Sequence, residues 1–200
     1  MRPIKIMKDR KNKINLPNLL TLIRIFLLPA FVLCFYLPWR FTHFLAAFIF
    51  FIVAITDWFD GYLARSLKQI TKFGAFLDPV ADKLVVAVAL VLLVGQFGSV
   101  WITLPAAVIV GREIVVSALR EWMAEIGKRT SVAVGFVAKI KTFMQMLALV
   151  CLLMYQPAGS RYWFAAGVIL LYAAVFLTLW SMYMYLKTAW PDLTMAKEKE

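Results

Sequence analysis

The stretch FTHFLAAFIFFIVAITDWFDGYLAR, residues 41–65, decides the fold. Residues 41–56 contain no Asp, Glu, Lys or Arg, and Asp57, Asp60 and Arg65 then close the run. A membrane-crossing helix needs about 20 mostly apolar residues, so the stretch reads as a span from Phe41 to Ala64 with carboxylates at one end. Outward from it, five more apolar runs have the same character. They extend from about Leu19 to Leu37, Pro79 to Gln96, Trp101 to Met123, Val132 to Tyr155 and Tyr162 to Leu186. Turn signals separate the runs: Pro38, the Gly95 to Ser99 stretch, Gly127, and Pro157-Ala158-Gly159. No low-complexity segment and no internal repeat interrupts them.

Composition agrees. The 200 residues are 63% hydrophobic, with a mean hydropathy of +0.81, whereas soluble domains are about half apolar. A globule of this length cannot bury the excess, so lipid must be part of the solvent. The expected fold is an all-α integral membrane protein of six transmembrane helices. Residues 1–18 form a basic N-terminal juxtamembrane segment, 19–187 the six-helix domain and 188–200 a polar C-terminal tail. The basic segment suits either an interfacial amphipathic helix, with Ile4, Ile6 and Met7 in lipid, or a solvated tail. Cys34 and Cys151 lie inside apolar runs and read as small buried hydrophobes. No small-residue cleavage site follows the first run, so no cleavable signal peptide is expected.

The net charge of +11 would point to nucleic acid in a soluble protein. Here the cations lie between apolar runs and report topology. One side collects Arg2, Lys5, Lys8, Arg10, Lys11 and Lys13, then Arg65, Lys68 and Lys72, then Lys128 and Arg129, and finally Lys187, Lys197 and Lys199; the other has Arg40 and Arg161. Cytoplasmic loops carry the excess of Lys and Arg, so both termini and the 65–74 connection are expected in the cytoplasm.

Asp57 and Asp60 end the second run, and Asp78 and Asp82 open the third. A carboxylate at membrane depth is costly unless it is paired or meets water. Asp57, Asp60, Gly61, Ala64 and Arg65 follow i, i+3, i+4, i+7, i+8, and Gly74, Asp78 and Asp82 follow i, i+4, i+8; each set lies on one helix face. The short connection makes the two helices antiparallel neighbours whose acidic faces can meet. Four carboxylates in one small volume cannot all ionise without cations. Hard divalent ions with oxygen ligands answer this need, and Mg²⁺ also bridges phosphates. Plainer readings exist for each residue singly: Asp78-Pro79 as a helix N-cap, Asp57 as the partner of an interfacial lysine, Asp60-Gly61 as a turn. Together, at helical spacing, these are a poor account of all four.

The two segments read Asp57-x2-Asp60-Gly61-x2-Ala64-Arg65-x8-Gly74-x3-Asp78-x3-Asp82. This resembles, at every fixed position, the signature of the CDP-alcohol phosphatidyltransferase family. Further segments resemble the bacterial members that use glycerol 3-phosphate. They are Asn15-Leu16-Pro17-Asn18-x-Leu20-Thr21-x2-Arg24, Asp78-Pro79-Val80-Ala81-Asp82-Lys83, Arg112-Glu113, Leu119-Arg120-Glu121-Trp122 and Lys139-x-Lys141-Thr142. The resemblance implies six helices, a homodimer, a bacterial inner-membrane location and transfer of a phosphatidyl group from CDP-diacylglycerol to an alcohol. It implies two divalent ions, Mg²⁺ or Mn²⁺, on Asp57, Asp60, Asp78 and Asp82, with Asp82 also the general base. It implies donor contacts from Asn18, Thr21, Asp57, Gly61, Arg65 and Thr71.

The acceptor is read from cations. Arg112, Arg120, Lys139 and Lys141 lie in the fourth and fifth runs and suit the phosphate of sn-glycerol 3-phosphate; snorkelling to the interface is the plainer reading, above all for Arg120. Lys139 and Lys141, two residues apart, cannot point the same way on a helix. The one histidine, His43, is expected at the opposite end of the second span, which leaves a carboxylate as base and direct displacement as the mechanism. Rival readings are a cardiolipin or phosphatidylinositol-phosphate synthase of the same family, and a divalent-cation transporter. The transporter would call for broken helices or repeats about a midplane site, whereas these acids lie at one face.

Overall fold

A computed structural model describes residues 16–38, 41–67, 72–125, 135–156 and 161–195. Among them the chain forms six α-helices: α1 (Leu16–Tyr36), α2 (Thr42–Leu67), α3 (Lys72–Phe97), α4 (Val100–Glu125), α5 (Gly135–Leu153) and α6 (Arg161–Met195). Among the described residues three segments are long and apolar enough to cross a membrane: Pro79–Phe97, Val100–Met123 and Arg161–Lys187. Shorter apolar helical segments cover Thr21–Tyr36, Thr42–Thr56 and Ile140–Leu153. The basic segment at 1–15 lies outside the described residues, as do Gly127 and the Pro157-Ala158-Gly159 turn.

Local chemistry sets the helix ends. At the start of α2, the Thr42 hydroxyl donates to the Leu37 carbonyl across 2.7 Å, tying the new helix to the end of α1. The connection between α3 and α4 is shorter than the expected Gly95 to Ser99 stretch, because Gly95, Gln96 and Phe97 are still helical. Gly98 takes φ +54°, a left-handed conformation that glycine adopts without steric cost. Its N–H donates to the Val94 carbonyl at 3.0 Å, a single-bond helix C-cap. Ser99 then opens α4, its carbonyl accepting from the Ile102 and Thr103 N–H groups at 3.0 and 2.9 Å.

Pro79 does not start a helix. It lies inside α3, which already runs from Lys72, so the N-cap reading of Asp78 is corrected. Apolar helices in a packed bundle tolerate such a proline because neighbouring groups re-satisfy the freed backbone; Pro29 and Pro105 are likewise internal to α1 and α4.

The helices pack as α1 on α2 and α3, α5 on α2, α3 and α6, and α4 on α3 and α6. The facing ends of α2 and α3, where the two acidic faces were expected to meet, lie outside the described side chains; α1 and α5 lie against both helices. The core is small and aliphatic where helices approach most closely: Ala46, Ala47, Ala89, Leu93, Ala148, Leu149 and Leu152 are buried. The α5–α6 contact is tight at Gly167, where an added Cβ would fall 2.7 Å from Leu152 Cγ. Phe97, Tyr155 and Phe164 form a three-ring cluster near the α3–α4 turn, with centroids 5.2–5.6 Å apart. Large apolar side chains also point outward, with Phe26 76%, Val91 68% and Phe176 67% exposed. Such a surface suits hydrocarbon, as the composition requires.

Candidate active site

The site is built on α3, α4 and α5. α3 brings Asp82 to a cavity of about 660 Å³ whose wall includes Lys83, Glu113, Ser117, Thr142 and Gln145. Its remaining lining is largely apolar, with Val86, Ile109 and Met146 among it. A polar end joined to an apolar wall fits a ligand with a charged head and a greasy body.

Asp82 is one-third exposed, at 36%, and its Oδ1 accepts from Nη1 of Arg24 on α1, which is 2% exposed. The α1–α3 packing makes this possible: Thr21 and Arg24 lie three apart on one turn, and both are buried. Sequence reading quoted Arg24 inside a motif but gave it no role; the signal available was an arginine inside an apolar run.

The acidic end is described only in part. Asp57 and Asp60 sit in α2, and Asp78 sits in α3 one turn before Asp82, but these three side chains lie outside the described residues. So do the side chains of Asn18, Gly61, Arg65, Arg120 and Lys139, and the whole of Thr71. Among the described residues no three His, Cys, Asp or Glu side chains come together. Carboxylate oxygens are the ligands that a hard divalent ion takes, and Asp82, the described one of the four aspartates, reaches the cavity.

The cations of α4 and α5 are not arranged as expected. Arg112 and Lys141 are buried, at 7% and 3% exposure. Both are bonded to Glu113 Oε1, Arg112 through Nη1 and Lys141 through Nζ, the latter at 3.3 Å. The second guanidinium nitrogen, Arg112 Nη2, donates to Ser181 Oγ of α6 at 3.1 Å. Glu113 therefore joins α4 to α5, and Arg112 joins α4 to α6. A buried charge is stable only when paired and hydrogen-bonded, and here each cation takes the same carboxylate oxygen.

Further along α4, the Ser117 hydroxyl donates to the Glu113 carbonyl at 2.6 Å and accepts from Lys83 Nζ of α3 at 2.5 Å. Glu113, Ser117 and Glu121 all line the cavity at i, i+4, i+8. That spacing was legible in the sequence and matches the one that singled out Gly74, Asp78 and Asp82. His43 lies away from these groups, near the start of α2, its ring edge-on to Phe35 with centroids 6.1 Å apart.

A carboxylate on an apolar helix, facing a largely apolar cavity with a polar end, is the setting that a lipid-modifying transferase needs. The profile of the CDP-alcohol phosphatidyltransferase family matches residues 14–180, and the chain belongs to that family. Curated relatives carry the name CDP-diacylglycerol–glycerol-3-phosphate 3-phosphatidyltransferase. The protein of Pseudomonas fluorescens is 57% identical over 187 residues, 93% of this chain and 95% of its own. That of Pectobacterium atrosepticum is 59% identical over 179 residues, 90% of this chain and 97% of its own. That of Escherichia coli strain K12 is 56% identical, with the same coverage as the Pectobacterium protein.

Proposed function

We propose that the chain transfers the phosphatidyl group of CDP-diacylglycerol to sn-glycerol 3-phosphate, giving phosphatidylglycerophosphate and CMP. The observation that carries this reading is the 56–59% identity, over nine-tenths of the chain, to relatives named for that reaction. The cavity supports it: Asp82 stands beside an apolar wall, as attack by a soluble alcohol on a lipid-linked phosphorus requires.

In the proposed step Asp82 takes the proton of one acceptor hydroxyl. That oxygen forms a bond to the phosphorus bearing diacylglycerol, while the bond from this phosphorus to the bridging oxygen breaks and CMP leaves. Asp57, Asp60, Asp78 and Asp82 would hold two divalent ions, Mg²⁺ or Mn²⁺, which when bound supply charge neutralisation at the diphosphate. Arg24 orients Asp82 from behind. Asn18, Asp57, Gly61, Arg65 and Thr71 hold the donor; Thr21, expected to join them, is fully buried and is left out of that set. Lys139 and Arg120 give the acceptor's phosphate a positive environment; Arg112 and Lys141, expected to share that role, are buried and bonded to Glu113 instead.

The same reading gives the chain six spans in a bacterial inner membrane, with both termini and the site cytoplasmic. It assigns residues 1–18 to a basic juxtamembrane segment, 19–187 to the transferase domain and 188–200 to a polar tail, and it makes the assembly a homodimer. The charge distribution along the chain supports the orientation.

The experiment is an acceptor competition. Purified protein, CDP-diacylglycerol and Mg²⁺ are incubated with glycerol 3-phosphate, phosphatidylglycerol, inositol phosphate and serine together, and the lipid products are separated. Phosphatidylglycerophosphate should dominate. Preference for another alcohol would overturn the acceptor and leave the family intact.

A further inference from the structure

The basic cluster on α4 and α5 shows an acid, not a base, to the cavity. Arg112 and Lys141 are buried, and the described wall of the cavity contains Glu113 but neither of them. Glu113 is 30% exposed on its side chain. Both cations are bonded to its Oε1, and among the described residues nothing is bonded to Oε2. Asp82 lies on the same cavity.

A carboxylate fixed in this way selects its ligand by chemistry. With both cations bonded to Oε1, the oxygen left toward the cavity is a hydrogen-bond acceptor. It repels a phosphate brought against it. The group it recognises is therefore a neutral donor, and on a polyol phosphate that means a hydroxyl. An acceptor such as glycerol 3-phosphate has two hydroxyls, one to react and one to spare.

We infer that Glu113 is a specificity-determining residue that accepts a hydrogen bond from the acceptor's non-reacting hydroxyl and so aims the other at Asp82. The inference rests on the function proposed above. Arg112, Lys141 and Ser181 serve it as positioning residues, holding Oε1 while Oε2 meets the substrate.

The probe is 3-hydroxypropyl phosphate, which is glycerol 3-phosphate without its middle hydroxyl. A hydrogen bond to a charged group is worth about 10- to 100-fold in an equilibrium or rate ratio. The unaltered chain should therefore show kcat/KM roughly 10- to 100-fold lower for the probe than for glycerol 3-phosphate. In Glu113→Gln the preference should shrink to a few-fold, mainly because glycerol 3-phosphate is used less well. Glu113→Asp, which keeps the counter-charge for Arg112 and Lys141, should fold where Gln does not. Its carboxylate is one carbon shorter, so it too should lose discrimination.

Equal use of both acceptors by the unaltered chain would overturn the inference. So would variants that lose activity on both acceptors in the same proportion, since that is what a purely structural salt bridge would give. If the unaltered chain turns over neither acceptor with CDP-diacylglycerol, the proposed function itself fails.

Discussion

Gly167→Ala should destabilise the protein, although alanine is the better helix former by about 1 kcal/mol. The added methyl would lie 2.7 Å from Leu152 Cγ, 2.9 Å from Leu152 Cδ2 and 3.2 Å from the Leu152 backbone nitrogen. Favourable carbon contacts lie at about 3.5–4.0 Å, so relief requires a shift of roughly 1 Å. Leu152 is fully buried and has nowhere to turn. The contact with its backbone nitrogen also means that no rotamer change can clear the site, so α5 and α6 must separate. Overpacking of this kind costs about 1–3 kcal/mol, which outweighs the propensity gain, and the separation also loses contacts along the helix pair. The net expectation is a loss of about 1–2 kcal/mol, or a fall in Tm of about 2–8 °C at this chain length. The assay is thermal unfolding of the detergent-solubilised protein, for this variant, Leu152→Val and the double variant. Shrinking Leu152 should recover part of the loss, so that the double variant is more stable than the two single effects sum to. A rise in Tm for Gly167→Ala would refute the reasoning, because propensity alone would then govern the site.

Asp82→Asn keeps the side-chain shape and removes proton acceptance; turnover should fall by more than the ~10²–10⁴ of a lost general base, while binding of CDP-diacylglycerol by titration is weakened less. Near-normal turnover would send the proton elsewhere. Chelation with EDTA should abolish activity and Mg²⁺ or Mn²⁺ restore it; activity that survives exhaustive chelation would remove metals from the reading. Arg24→Gln takes a charge-assisted bond from Asp82 and should lower kcat by about 10- to 100-fold, with little change in KM for glycerol 3-phosphate. Arg24→Lys should recover part of the loss, and an unaltered kcat in Arg24→Gln would deny Arg24 its positioning role.

Much of this architecture is legible in the chain. The apolar runs locate the six helices of the described residues, because a long uncharged stretch must leave water whatever its neighbours do. Their ends are less legible. α3 begins seven residues before Pro79, at Lys72, since a proline that would stop a solvent-exposed helix is accepted inside a packed apolar bundle. Asp82 stood out because an acid in such a run demands a reason. Glu113 was quoted beside Arg112 in a motif but given no role of its own. The decisive partner, Lys141, comes from another helix 28 residues on, and only packing decides which face of α5 meets α4. The Arg24–Asp82 pair, 58 residues apart, is hidden for the same reason: spacing reports what shares a face, not what that face meets.

The two-residue turn at Gly98 and Ser99 has a mechanical consequence. Asp82 lies 16 residues before Gly98 and Glu113 lies 15 after it, so at 1.5 Å per residue both sit about 23 Å from the turn. The turn is a fulcrum with two nearly equal arms, and the two carboxylates ride at matching depth on opposite blades of a pair of tweezers. With arms that long, a change of about 5° in the angle between α3 and α4 moves their tips by about 2 Å, the difference between a hydrogen bond and none. The Lys83–Ser117 contact pins the blades near their tips, where leverage is greatest. The separation of the two carboxylates is thus set from both ends, by the turn at Gly98 and Ser99 and by the Lys83–Ser117 contact beside the cavity.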